Sequence, residues 1–443
     1  MTSSTGTSYR GLGTATGAGL VVANMIGASV FVSAGFMAQV MGPGDILLSW
    51  VVGGVLALCG VVAYGALAER IPLSGGEYRY LAELFHPAVG YVAGWGSILL
   101  GFAAPVAIDA FVASSYLDTL IPIGDVRVVG TLFILLLTAL HAVRLDVSAW
   151  AQNALVIVKL GLVVAFAVFG VVIGAHAVPS WSPPTQDATP FTTFLENQFW
   201  VAFAFSGWNA AIYAASEFRD PKRQVPRAMA LGALLVTVLY LVVNWVFVAN
   251  LTPLDAAAVQ EEKTLVTLGH IVVGRLAGPG AAGAMSAVAV IAFLSAMSAM
   301  TMVGARVTAA MADDGLLPAV LGERRPRPPV GALAFQAVIA CTLLWTTSLH
   351  HIVQSAAAVL MLFTALTVLG LFRVTRARPN LAPPGIPALI AAAVYAVASF
   401  GFLFYGFRDN PELLLGLAGC GAFGVLAWAL TPQRVTADAS AKG

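Results

Sequence analysis

The chain has 443 residues, of which 59% are hydrophobic and 10% charged, with a formal net charge of +1; a soluble domain carries about 45–50% apolar and about 25% charged residues. A water-soluble fold of this size would lack the polar surface to cover itself, and the balanced charge offers no basic face to nucleic acid. Cys59, Cys341 and Cys420 all fall inside apolar runs, where they read as small buried hydrophobes and neither as a disulfide frame nor as metal ligands.

A polar tail over 1–11 opens the chain. Apolar runs follow over 12–41, 45–68, 88–117, 127–143, 149–175, 192–217, 227–250, 279–312, 329–347, 351–372, 386–407 and 411–430, and a second polar tail closes it over 431–443. Crossing a hydrocarbon core about 30 Å thick takes about 20 apolar residues of helix, so the expectation is an all-α integral membrane protein with about twelve transmembrane helices. The first run is too long and too Gly-rich for a cleaved signal peptide. Between runs sit segments rich in turn residues, such as Met41–Asp45, Trp181–Pro190 and Asn380–Pro387, none long enough to make a separate domain.

With both termini placed in the cytoplasm, 17 of the 22 Lys and Arg residues fall on that side, among them Arg70, Arg79, Arg219, Lys222, Arg223, Arg306, Arg376 and Arg378. The excess of basic residues in cytoplasmic loops then sets the orientation, in a cell membrane. Arg127, Lys263, Arg275 and Arg408 fall outside, and Lys159 falls within a span.

The first and sixth runs share an irregularity halfway along, Ile26-Gly27-Ala28-Ser29 in one and Phe205-Ser206-Gly207-Trp208 in the other. Either cluster alone also reads as small residues that let helices pack closely. Interruptions at matching places five spans apart point instead to a transporter built from inverted repeats, with its site at the midplane. A charge at a helix centre costs about 2.5–3.5 kcal/mol on insertion scales and so marks function. Lys159 in the fifth run and Asp109 in the outer half of the third are the two such charges. Asp109 either lines an outer vestibule and attracts an ammonium group or is protonated and packed; both readings stand.

Four segments resemble the amino acid-polyamine-organocation transporters, and within them the L-type and related bacterial amino acid permeases. The first is Ile26-Gly27-Ala28-Ser29-Val30-Phe31, with Ala28 and Ser29 where the family carries Ser and Gly. The second runs from Ala66 through Glu69-Arg70-Ile71-Pro72 to Ser74-Gly75-Gly76-Glu77-Tyr78. The third is Phe205-Ser206-Gly207-Trp208-Asn209 with Asp220-Pro221-Lys222-Arg223-Gln224-Val225-Pro226-Arg227-Ala228, and the fourth Gly304-Ala305-Arg306 with Met311-Ala312-Asp313-Asp314-Gly315.

The resemblance implies a core of two inverted repeats of five helices, over 12–175 and 192–372, with the first and sixth helices broken and two further helices over 386–430. It implies an amino acid whose carboxylate meets the backbone amides of Ala28, Ser29 and Val30. The ammonium would then meet carbonyls near Ile26, Phe203 and Ser206, with Gly27 at the break. The free N–H groups and carbonyls of half-helix ends suit those two charges. Phe203 would cover the substrate, and Asn209 would hydrogen-bond it or brace the sixth helix; an amide rather than a carboxylate there favours neutral amino acids. Lys159 would stand where sodium-driven relatives hold a sodium ion, with Ser295 and Ser298 as its partners.

Other patterns fail in context. Gly278-Pro279-Gly280-Ala281-Ala282-Gly283 fits a dinucleotide fingerprint by letter, but no strand precedes it. His350 and His351 have no further ligands near them in sequence, so no metal is expected, nor any other cofactor. Glu217 and Arg306 read as a helix cap or an inner-gate ion pair. A membrane enzyme would need convergent catalytic groups, which Asp109 and Lys159 on different helices do not supply. The expected function is therefore a secondary permease of amino acids, coupled to protons or working by exchange. Cationic amino acids or amines are the alternative substrates, and a non-transporting amino acid sensor the alternative role.

Overall fold

A computed structural model of the chain describes residues 11–71, 76–143, 145–177, 180–183, 190–252, 267–323 and 328–430. The two polar tails, the 72–75 part of the second motif, Lys263 and Arg324, Arg325 and Arg327 lie outside these residues, apart from Gly11 at the end of the first tail. Among the described residues all regular structure is helical, with one isolated bridge between Leu12 and Phe218.

The first run folds as two helices, α1 (Thr14–Met25) and α2 (Ser29–Ala38), inclined by 40° to one another. After α3 (Pro43–Arg70) and the short α4 (Glu77–Leu84), the third run begins as α5 (Pro87–Gly96), widens into a π-helical segment over Ser97–Ala103 and resumes as α6 (Ala104–Asp118). Pro105 explains the widening, because it has no N–H to donate to the carbonyl four residues back at Gly101. The fourth and fifth runs form α7 (Val126–Val143) and α8 (Leu145–Ile173).

The sixth run is divided into α9 (Pro190–Glu196), α10 (Gln198–Phe205) and the four-residue α11 (Ala210–Tyr213), followed by α12 (Pro221–Asn250). The eighth run starts earlier than its hydropathy suggests: α13 covers Leu268–Asp313 but turns at Gly278, where φ is +83°, just before Pro279. The remaining helices are α14 (Val330–Thr346), α15 (Leu349–Gly370), the four-residue α16 (Val374–Ala377), α17 (Ile386–Asp409) and α18 (Pro411–Leu430).

Among the described residues nine helical stretches are long and apolar enough to cross a membrane, and the bent α1–α2 pair makes a tenth. Two expected spans account for the difference from twelve. The ninth is a 17-residue apolar helix, just short of a crossing, and the sixth is in pieces. Local signals set the helix starts. Pro43, Pro87 and Pro221 open their helices, where a missing N–H costs nothing. The His86 ring accepts from the Ala88 amide, and the Ser348 hydroxyl from the His351 amide.

The packing is that of a bundle with an apolar exterior. α12 lies along α3 and α1, and α13 along α6 and α8. α7 exposes Val128, Leu132, Leu135 and Leu136, and α12 exposes Leu231, Leu234, Leu235 and Val238, which suits lipid and not water. Basic residues are tied to one end. Arg79 donates to both oxygens of Asp314 at 3.0 and 2.9 Å and to the Tyr78 hydroxyl at 3.0 Å. Arg378 pairs with Glu83, and Arg70 donates to the carbonyls of Ala382 and Pro383. The second and fourth motifs thus meet where the Tyr78 hydroxyl donates to Asp314 at 2.9 Å, beside Arg79. Burial of the Tyr78 phenol raises its pKa well above the ordinary value.

Candidate functional site

The two helix breaks lie against one another. Ile26 leaves α1 in an extended conformation, φ −78° and ψ 103°, and Ser206 leaves α10 likewise, φ −58° and ψ 152°. Gly207 then takes φ +95°, a conformation that costs any residue with a Cβ. A Cβ there would also sit 3.0 Å from the Asn24 carbonyl oxygen, so the glycine lets the second break press onto the end of the first. The Ser33 hydroxyl, on the other half of the first helix, donates to Ser29 O at 2.7 Å and to Trp200 O of α10 at 3.3 Å.

Between the breaks lies a small cavity of about 80 Å³ walled by Asn24, Ser206, Gly207, Asn209 and the aromatic rings of Phe102, Trp208, Tyr213 and Tyr395. Pro105 and Ser97 bring the widened third run to its wall. Asn24, Ala210 and Tyr213 also line a larger vestibule with Leu12, Arg79, Glu217 and Arg306, so the cavity leads toward the basic end of the bundle. Both members of the suggested Glu217–Arg306 pair border that vestibule. There the Glu217 carbonyl accepts from the Leu12 amide at 2.7 Å.

Several backbone groups freed by the breaks are held by side chains from other helices. Lys159, 1% exposed, donates to Ala23 O at 2.6 Å. The Tyr240 hydroxyl donates to Met25 O at 2.7 Å. The Ala28 amide, the first of α2, donates to Asp109 Oδ1 at 3.1 Å, and Asp109 and Lys159 act on one another electrostatically. On the other break, Phe203 O accepts from both the Ser206 amide, at 3.0 Å, and its hydroxyl, at 2.7 Å.

These contacts place some of the expected site residues differently. Of the two readings of Asp109, its burial fits the packed one: it is 4% exposed and accepts from the Ala28 amide at the first break. Lys159 is hydrogen-bonded to Ala23. Ser298 pairs with the His141 ring at 2.9 Å, and among the described residues the buried Ser295 hydroxyl has no hydrogen-bond partner. Of the residues expected to touch substrate, Ser206 and Asn209 line the cavity, while Asn24 represents α1 there in place of Ile26 and Gly27. Phe203 is buried in α10 away from the cavity wall. Ala28, Ser29 and Val30 form the buried first turn of α2 and its cap.

The residue that sequence reasoning missed is Glu77. Its Oε1 accepts from the Tyr64 hydroxyl at 2.7 Å, the Thr364 hydroxyl at 2.8 Å and the Asn209 amide at 3.1 Å. Burial pushes its carboxyl above the ordinary carboxylate range, against the opposing pull of these hydrogen bonds. It joins α3, α15 and the unwound sixth run at the cavity wall. The Gly76-Glu77 motif carried the signal, but Glu77 reads in sequence as a loop residue.

A bundle of apolar helices with two broken ones facing one another beside a cavity defines a multi-pass membrane transporter. The amino acid permease family matches residues 12–411, and the chain belongs to that family. It is 25% identical over 425 residues to the large neutral amino acids transporter small subunit 2 of Rattus norvegicus, covering 92% of this chain and 78% of that one. It is 26% identical over 401 residues to the b(0,+)-type amino acid transporter 1 of Rattus norvegicus, covering 88% and 81%. With the Asc-type amino acid transporter 1 of Mus musculus it shares 24% identity over 415 residues, covering 88% and 75%.

Proposed function

We propose that the chain is a secondary permease of small amine-bearing solutes, with amino acids as the class its family suggests, working by alternating access. The observation that carries this reading is the pair of interrupted helices, α1–α2 and α10–α11, meeting at Gly207 and Asn24 around a cavity reached from one end. A solute held between two breaks is released when the two halves of the bundle rock, without any covalent step. The repeats are 12–175 and 192–372, the basic end is cytoplasmic, and the membrane is the plasma membrane.

Lys159 is a fixed cation in the place of a sodium ion. Its ammonium holds a carbonyl at the end of α1, as a bound sodium ion would, but it does not leave during the cycle. Proton coupling follows if Lys159 releases its proton on each turn of the cycle, and exchange if it stays charged. Purified protein in proteoliposomes, offered a panel of labelled amino acids and amines with and without a pH gradient, tests the reading. Saturable uptake of at least one class above protein-free vesicles is expected, and its absence across the panel refutes the proposal.

A further inference from the structure

We infer that the outward face of α12, with the neighbouring stripe of α3, binds a phospholipid with an anionic headgroup: the headgroup on Arg223 and Arg227, an acyl chain along the apolar side chains beyond them. Arg223, Arg227, Leu231, Leu234 and Val238 follow one another at steps of three or four positions and so share one face of the helix. All five are exposed, Arg223 by 77% of its side chain. From Arg227 to Val238 the helix rises about 16 Å, at about 1.5 Å per residue, close to half of a hydrocarbon core about 30 Å thick. Cations at one end and one leaflet's depth of apolar side chains beyond them make the outline of an anionic phospholipid.

The cations on this face are available to a ligand. Elsewhere at the same end arginines are taken up by the protein: Arg79 by Asp314, Arg378 by Glu83, Arg70 by the carbonyls of Ala382 and Pro383, and Arg219 by Gly11 O. Among the described residues Lys222 and Arg227 have no ion-pair partner, and Arg223 reaches Asp220 at 3.8 Å, the long end of such a contact. Basic clusters directly beside a membrane helix draw anionic headgroups. Glu69, the other acid nearby, is held by Arg70 at 3.6 Å. α3 supplies a second exposed apolar stripe, Leu48, Val51, Val55 and Val62. A Cβ at Gly65 would lie 3.2 Å from Pro226 and one at Gly54 2.5 Å from Thr237, so α3 and α12 run antiparallel in close contact with both stripes outward. On its opposite side α12 holds the first helix break: Tyr240 donates to Met25 O, and a Cβ at Gly232 would meet Val21 at 2.7 Å. A lipid bound to α12 therefore steadies the helix that anchors α1.

Thermal unfolding of the purified full chain in a neutral detergent reads this binding whether or not a solute is known. Dioleoylphosphatidylglycerol should raise the melting temperature at a concentration at least fivefold lower than dioleoylphosphatidylcholine does. Glycerol phosphate, which has the headgroup chemistry without the chains, should leave it unchanged. The double variant Arg223→Gln, Arg227→Gln should need at least tenfold more phosphatidylglycerol for the same shift, with its response to phosphatidylcholine as in the wild type. Should that variant not fold, Arg227→Gln alone carries the test and should need at least threefold more. Arg376→Gln removes an exposed arginine from the short α16 at the same end and should alter neither response. Equal shifts from the two lipids on the wild type, or a glutamine variant that responds to phosphatidylglycerol as the wild type does, overturns the inference. So does an equal loss in Arg376→Gln, which would make the effect one of diffuse charge, and so does stabilisation by glycerol phosphate, which would make the site one for a free anion.

Discussion

The ammonium of Lys159 on α8 and the carbonyl of Ala23 on α1 are joined at 2.6 Å, deep in the bundle. A buried charge is tolerated only with partners, and removing one member of such a set costs about 3–5 kcal/mol. Lys159→Ala leaves Ala23 O without its donor and Asp109 without its countercharge. Uptake should fall at least tenfold, whereas replacing sodium by potassium should leave wild-type uptake unchanged. Isotope uptake in the two salts decides the matter: sodium stimulation of the wild type, or full activity of the variant, rules out the role given to this lysine.

Gly207 tests whether the breaks must touch. A side chain at φ +95° costs about 1–2 kcal/mol, and the added carbon would press on the Asn24 carbonyl at 3.0 Å. Gly207→Ala should therefore lower the melting temperature and also reduce transport, because the strain falls on the site. Gly19→Ala is the control, as a Cβ there meets nothing within 4 Å. Equal transport by the two variants would show that close approach of the breaks is dispensable.

For Glu77, charge and hydrogen bonding can be separated. Glu77→Gln retains an oxygen for Tyr64, Thr364 and Asn209, whereas Glu77→Ala strands two buried hydroxyls, each at about 1–3 kcal/mol, and the half-buried Asn209 amide. Thermal unfolding in detergent should show the alanine protein markedly destabilised and the glutamine protein close to wild type. If both melt alike, the three hydrogen bonds do not brace the sixth run.

The helix breaks were legible in sequence because their causes are local: Gly27, Ser206 and Gly207 weaken a helix wherever they stand. The widening over Ser97–Ala103 was equally local, since Pro105 forces it, yet the apolar run around it hides it from hydropathy. The cavity wall was not legible. Glu77 meets Thr364 across 287 positions and Asp109 meets Ala28 across 81, and no periodicity connects residues so far apart. Resemblance filled the Ala28 amide with a substrate carboxylate because it transfers a pattern, whereas the Asp109 contact arises only from how α6 packs on the break. Ser298 was assigned to Lys159 for want of any sign that His141 would reach it.

At the end away from the basic residues, Phe36 of α2 and Trp200 of α10 stack with ring centroids 4.3 Å apart and planes 12° from parallel, and His350 packs edge-on against Trp200. Such aromatic pairs contribute about 0.5–1.5 kcal/mol beyond their buried area, and the Ser33 bond to Trp200 O adds to the closure. The cavity meanwhile communicates with the basic end through Tyr213 and Asn24. One side is shut while the other is open, and alternating access requires the Phe36–Trp200 contact to part when the vestibule closes. Trp200→Ala should shift the population toward the form open at the far end. A cysteine introduced at Ser33, which is fully buried, should then react with a membrane-impermeant thiol reagent applied from that side at least several-fold faster than in the Trp200 background. The three native cysteines are first replaced by alanine so that only the new thiol reports. If the two rates are equal, the aromatic stack is ordinary packing and the barrier at that end lies elsewhere.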